Sequence, residues 1–213
     1  NEYEEGGKNL NERSFLMSQL KRNQLDLKFN YSKITNLKAG RELVAQIQNH
    51  QKEDLFVLVY NFVDMISHAK TEMEIIKELA SDNKAFRSLT LSWFKNSPLL
   101  EIIQKASELG FKLVITTDHG TINVDQAIEV IGTRETSTNL RYKTGQSMSF
   151  KSKEVLEIKE PNKLKLPSAH LNSKYIFAKE QGYFVYQNNF NHFANHFRNT
   201  FQHGGISMEE MII

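Results

Sequence analysis

Two short apolar runs interrupt an otherwise mixed chain, LFVLVY at 55–60 and FKLVIT at 111–116. Each is continuous rather than alternating and bounded by polar residues, the pattern of a strand buried on both faces. Between them, residues 72–81, 83–94 and 98–109 repeat their apolar positions at helical spacing, the last with Pro98 at its start and Gly110 at its end. Strand, helices and a second strand in that order predict an α/β protein, an α/β/α sandwich with a largely parallel sheet.

The flanks are less regular. Residues 1–40 are polar and helical only in part, with Phe15, Leu16 and Leu20 at helical spacing and a loop over 30–40. Residues 41–51 read as a helix. A short strand is expected within 123–131, then a polar loop over 132–146 and a Lys/Glu-rich stretch without periodicity over 151–167. Residues 175–179 and 183–186 look like two strands of a hairpin turning through Glu180-Gln181-Gly182. Residues 190–200 are helical, and Gln202-His203-Gly204-Gly205 leads into a last helix. There is no internal repeat and no low-complexity tract. Both ends suggest a piece of a larger protein, since the chain opens in a polar segment and closes on the apolar Met211-Ile212-Ile213.

Composition narrows the classes. The chain has 213 residues, 39% hydrophobic and 24% charged, as in an ordinary globular domain. No stretch approaches a membrane span or a secretory leader. With no cysteine, disulfides and thiolate metal sites are excluded, and a cytoplasmic location is the expectation. A net charge of +2 offers no bulk-charge nucleic-acid surface.

The candidate chemistry follows the two runs, and ligands of open α/β sheets bind where strands end. Asp64 and His68 stand at i and i+4, so a helix there would put both on one face, able to grip one ion; such pairs also occur on ordinary solvated helices. Asp118-His119-Gly120 places two donor side chains at a sharp turn, readable as a metal site or as a turn with an Asx cap. His203, before Gly204-Gly205, is a third candidate, or a histidine capping a helix C-terminus. Arg141 and Lys143, in the polar loop, are candidates for contacting substrate phosphate, or members of a solvated basic loop. His192 and His196 share i, i+4 spacing but lack the Glu of a zinc-protease helix, so they read as aromatic-flanked histidines. Trp93 and Phe94 read as helix packing.

Order and context of the three clusters resemble the downstream metal-binding set of the alkaline-phosphatase superfamily. TTDHGT (116–121) resembles its Asp-His-Gly signature, and FQHGGISMEEMII (201–213) is similar to the His-Gly-Gly-x-Ser-x-Glu-Glu closure of the PglZ branch. The run from Tyr175, together with RETSTNLRYKTG (134–145), also resembles the C-terminal effector domain of a bacterial response regulator linked to type IX secretion. The resemblance covers essentially the whole chain. It implies the C-terminal part of one alkaline-phosphatase-like domain, incomplete here, with the rest of the domain and a receiver domain upstream.

It also implies two Zn2+ ions, one held by Asp64, His68 and His203, the other by Asp118 and His119. The Asp and the Thr or Ser nucleophile that complete the second site match no segment of the first fifty residues and are expected upstream of residue 1. Within the chain, Thr116, Thr117 and Thr121 would be the first alternatives. The implied activity is a zinc phosphodiesterase on nucleotides or oligonucleotides. It would serve as the output of a two-component regulator, with a sensor kinase, secretion or transcription regulators and a homodimer as partner expectations. The competing expectation is a metal-stabilised, non-catalytic interaction module.

Overall fold

The computed structural model describes residues 11–62, 66, 69, 73–80, 82–133, 136–168, 170 and 172–211, which fall into two compact units. The first comprises residues up to 62 together with 91–114, and the second the remainder. Among the described residues no helix is long and apolar enough to cross a membrane.

In the first unit, strand β1 (Phe29–Ile34) runs parallel to β2 (Leu55–Tyr60), with Phe29 opposite Leu55 and Ile34 opposite Tyr60. The LFVLVY run is thus a strand with the expected bounds, though its residues are half-buried rather than sealed on both faces. The 30–40 loop is a correction. Positions 30–34 belong to β1, FNYSKI, and a helix already begins at Leu37. The alternating polar residues of FNYSKI are tolerated because its burial is only partial. Asn36 caps the Leu37–Gln46 helix, its side chain accepting from the Ala39 amide at 2.9 Å. Ile34, Leu43, Val44, Ile47, Ile102 and Ala106 form the buried core, so the Leu37–Gln46 and Pro98–Glu108 helices pack on the β1–β2 pair. Trp93 stacks on Phe62 and meets the edge of Tyr60, as helix packing predicts.

The second run, FKLVIT, is not a strand. Leu113, Val114 and Ile115 are exposed, Val114 at 82%. An apolar run becomes a strand only where another backbone satisfies its amides and carbonyls, and no described strand pairs with it.

In the second unit the sheets overturn the largely parallel expectation. β4 (Gln126–Gly132) pairs in parallel with β9 (Gly182–Tyr186) and antiparallel with β6 (Met148–Phe150). β8 (Lys174–Ala178) lies between β5 (Tyr142–Gly145) and β7 (Val155–Ile158), antiparallel to both. β3 (Ile122–Val124) pairs antiparallel with β10 (Thr200–Gln202). Among the described residues the sheets are therefore mixed. Short polar connections, which sequence pattern alone reads as loop, carry β5, β6 and β7.

The expected hairpin is also absent, because β8 and β9 belong to different sheets. Ile128, Val130, Val155, Ile176, Ala178 and Phe184 share one core, so these two sheets face each other and β8 meets β9 across side chains. The other face of β9 sends Tyr183 and Val185 into a second core with Ile122 and Val124. Period-2 alternation thus feeds two cores from one strand, which explains why GYFVY is apolar throughout. The Phe190–Phe197 helix lies on this second core and is held by Tyr183, whose hydroxyl donates to the Ala194 carbonyl. It ends sooner than periodicity suggests, giving way to β10 at Thr200.

Candidate functional site

The β3–β10 pair assembles the site. Its register sets Thr200 opposite Val124 and Gln202 opposite Ile122. Continued by one residue, that register puts His203 beside the end of the TTDHGT segment. The imidazoles of His119 and His203 accordingly stack, with ring centroids 4.0 Å apart and planes 14° from parallel. Two histidines 84 positions apart meet because two three-residue strands pair (203 − 119 = 84).

Asp118 and His119 sit on an irregular turn. The His119 amide donates to Asp118 Oδ1 at 3.1 Å, an Asx-type contact, and Thr117 Oγ1 donates to the His119 carbonyl at 2.8 Å. His119 Nδ1 lies 3.1 Å from the Gly120 carbonyl oxygen. A carbonyl only accepts, so Nδ1 carries the proton and Nε2 presents its lone pair. That Nε2 lies 3.8 Å from Asp118 Oδ1, and the Asp118 side chain is 84% exposed. The Asx-type reading of this segment is thus realised in the turn.

The donor set suits zinc: imidazole nitrogens and a carboxylate, with one ring fixed by a backbone carbonyl behind it. Asp118, His119 and His203 match such ions by donor type, and the tautomer of His119 leaves its Nε2 lone pair available. Among the described residues no group of three or more His, Asp or Glu is arranged closely enough to hold a metal by itself. Asp64 and His68, the remaining expected ligands, lie outside the described residues.

Glycine is required at two points. The amide of Gly120 donates to the Glu210 carbonyl at 2.9 Å, and a Cβ on Gly120 would stand 1.8 Å from the Glu209 carbonyl oxygen. The Asp-His-Gly turn therefore lies against the backbone of the Met208–Met211 helix. Gly205 faces the same constraint, since a Cβ there would reach within 2.5 Å of the Glu210 carboxylate.

Glu210 is the residue whose part the sequence reading missed. Its buried carboxylate accepts from Arg141 Nε and Nη2, each at 2.8 Å, from the Gly205 amide at 2.9 Å and from the Ser207 amide at 3.2 Å. Burial alone would raise this carboxyl, but Arg141, with Ser207 and Gly205, more than reverses that and holds it below its ordinary value. The signal was present: Ser207-x-x-Glu210 is a capping box, and the Glu210 amide returns the bond to Ser207 Oγ at 3.3 Å.

Arg141 and Lys143, expected at substrate phosphate, are both placed in the interior. Arg141 directs its guanidinium to Glu210 and to the Gly182 carbonyl. Lys143 holds its ammonium 4.5 Å from the centre of the Tyr186 ring, and burial pulls its pKa down to about 8. His192 and His196 have ring centroids 6.3 Å apart on the Phe190–Phe197 helix, each edge-on to a neighbouring phenylalanine.

Among known families, the model of the BREX system PglZ alkaline phosphatase-like domain matches residues 2–213. No curated protein matches the chain.

Proposed function

This chain belongs to the PglZ alkaline phosphatase-like family, and from that premise we propose that it forms part of a zinc-dependent phosphodiesterase. Membership supports phosphoester hydrolysis as the reaction class and a phosphoester as the substrate. The observation that carries the reading is the stacking of His119 on His203 at 4.0 Å beside the exposed Asp118 carboxylate.

In this reading Asp118 and His119 hold one zinc, and His203 joins Asp64 and His68 on the other. Metal at these donors would polarise the phosphoryl oxygens and favour the ionised nucleophile. The chain's own contribution is positional. The Gly120 carbonyl fixes the His119 tautomer, the β3–β10 ladder sets the height of His203, and the exposure of Asp118 leaves a side open to substrate. Arg141, committed to Glu210, is architectural rather than a substrate contact. A diester without a second anionic charge suits a site in which, among the described residues, the motif arginine Arg141 is buried. We extend the proposal to nucleotide or oligonucleotide substrates, a Thr or Ser nucleophile supplied from upstream, and service in the cytoplasm as the output domain of a response regulator.

The test is Asp118→Ala in the full-length protein, assayed on a chromogenic phosphodiester at saturating zinc. Loss of a charged ligand should lower turnover by more than tenfold, about 1.4 kcal/mol in barrier, while circular dichroism stays unchanged. Retention of more than a tenth of the activity would refute the assignment.

A further inference from the structure

We propose that Glu210 is a positioning residue that locks His203 and the Asp118-His119-Gly120 turn into one metal-binding geometry, with Arg141 as its buried counter-ion. The inference rests on the metal-site reading above and goes further by naming what sets the spacing between its two halves. His119 and His203 lie on separate segments, which the three-residue strands β3 and β10 tie together. Beyond the ladder the two segments converge again on one residue, Glu210.

The backbone of Glu210 takes one segment. Its carbonyl accepts the Gly120 amide, one position after His119. The side chain takes the other. Oε1 accepts the Gly205 amide, two positions after His203, and Oε2 accepts the Ser207 amide. Gly204, at φ +94°, allows the chain to turn between His203 and these contacts. Arg141 then fixes the carboxylate in a two-point ion pair, and β5, which begins at the next residue, belongs to the β5–β8–β7 sheet. A stack of mainly rigid parts therefore runs from that sheet through Arg141 and Glu210 to both histidines. The close approach at Gly120, where a Cβ would meet the Glu209 carbonyl, lets the turn lie directly against the backbone of the clamp.

Burying a carboxylate and a guanidinium is a weak route to stability, because desolvation offsets most of their attraction. Geometry is the better explanation for a pair whose carboxylate also holds two amides of the His203 loop. Partners hydrogen-bonded to metal ligands, when removed, typically lower metal affinity by about 10- to 100-fold; Glu210 acts one step further back, through the backbone amides that follow His119 and His203.

The experiment compares wild type, Glu210→Gln, Glu210→Asp and the core variant Ile176→Val in the full-length protein. Folding is followed by circular dichroism, zinc affinity by competition with a chromophoric chelator, and diester hydrolysis by kcat and KM separately. Glu210→Gln keeps the shape but weakens the ion pair; Glu210→Asp keeps the charge but shortens the arm. Expected are a fall in zinc affinity of at least tenfold and a lower kcat with KM within twofold for both Glu210 variants. Ile176→Val, which trims one methyl group from the core between the two sheets and leaves the Arg141–Glu210 bonds in place, should leave zinc affinity unchanged. Folded Glu210 variants with wild-type zinc affinity would overturn the proposal. So would a matching loss in Ile176→Val, or failure of both Glu210 variants to fold, either of which makes the residue merely structural. A wild type that binds no zinc and cleaves no diester would instead refute the function on which the inference rests.

Discussion

Among the described residues of the second unit, the buried charges of Arg141, Glu210 and Lys143 are handled in two ways. Arg141 and Glu210 satisfy one another and three backbone groups, so each depends on the other. Arg141→Met should leave the Glu210 carboxylate buried without its counter-ion and cost about 3–5 kcal/mol, read as a lower urea midpoint with unchanged slope. Lys143 has a Tyr186 ring face in place of an anion, and its pKa falls from 10.5 to about 8. In the unfolded chain it keeps its proton up to the ordinary value. Between about pH 8 and pH 10 the unfolded state therefore binds more protons, and stability must rise with pH across that window. Above it the buried phenols of Tyr183 and Tyr186, whose pKa values are raised, oppose the rise, because they stay protonated in the fold after the unfolded chain has ionised. Chemical denaturation at intervals from pH 7.5 to pH 10, about the span over which Lys143 loses its proton, should show the rise in wild type and a flat profile in Lys143→Met.

At the scale of elements, β9 does the most joining. Phe184 enters the core shared with Ile128 and Ile176, while Tyr183 and Val185 enter the core under the Phe190–Phe197 helix. Truncation on either face should therefore have different consequences. Phe184→Ala should cost about 3–5 kcal/mol and lower the thermal midpoint of the whole unit. Tyr183→Phe keeps the ring and loses only the hydroxyl bond to Ala194, about 1 kcal/mol. Its signature should be faster amide exchange confined to the Phe190–Phe197 helix, with the β4 amides unchanged; uniform loss of protection would contradict this division. The capping box Ser207-x-x-Glu210 is a smaller element with the same dependence on its neighbours. It begins a helix of four residues that could not persist alone, and the Arg141 pair and the Gly120 amide hold it in place.

For the whole molecule, binding of an ion to the folded state alone must add stability by mass action. Zinc at about 100 times its dissociation constant should contribute about 2.7 kcal/mol, raising the thermal midpoint of the full-length protein, and chelation should reverse the shift. His203→Ala should lose part of that shift and should not alter the midpoint measured without metal by more than a degree or two, about what ±0.5 kcal/mol gives in a domain of this size. An equal shift in the variant would remove His203 from the metal site.

The local chemistry was legible in the sequence because it depends on neighbouring residues. The LFVLVY run specified β2 to the residue, Pro98 and Gly110 bracketed their helix, and Asp118, His119 and His203 were recognisable from the residues around them. The family was equally legible, because the Asp-His-Gly and His-Gly-Gly blocks are local strings. Pairing was not. A continuous apolar run states that a strand wants burial on both faces, without naming what covers it. FKLVIT and YFVY carry the same kind of pattern, yet one remains exposed coil and the other feeds two cores. β5, β6 and β7, three or four residues each, are too short to show a periodicity and form because a neighbour supplies hydrogen-bond partners. Arg141 was misleading for a related reason: a charged residue in a polar loop reads as solvated until its partner, 69 positions away, is brought beside it. Short-range rules thus named the candidates for chemistry. Only the long-range pairing of β3 with β10, and the burial of Glu210 against Arg141, decided that two of those histidines would stand 4.0 Å apart.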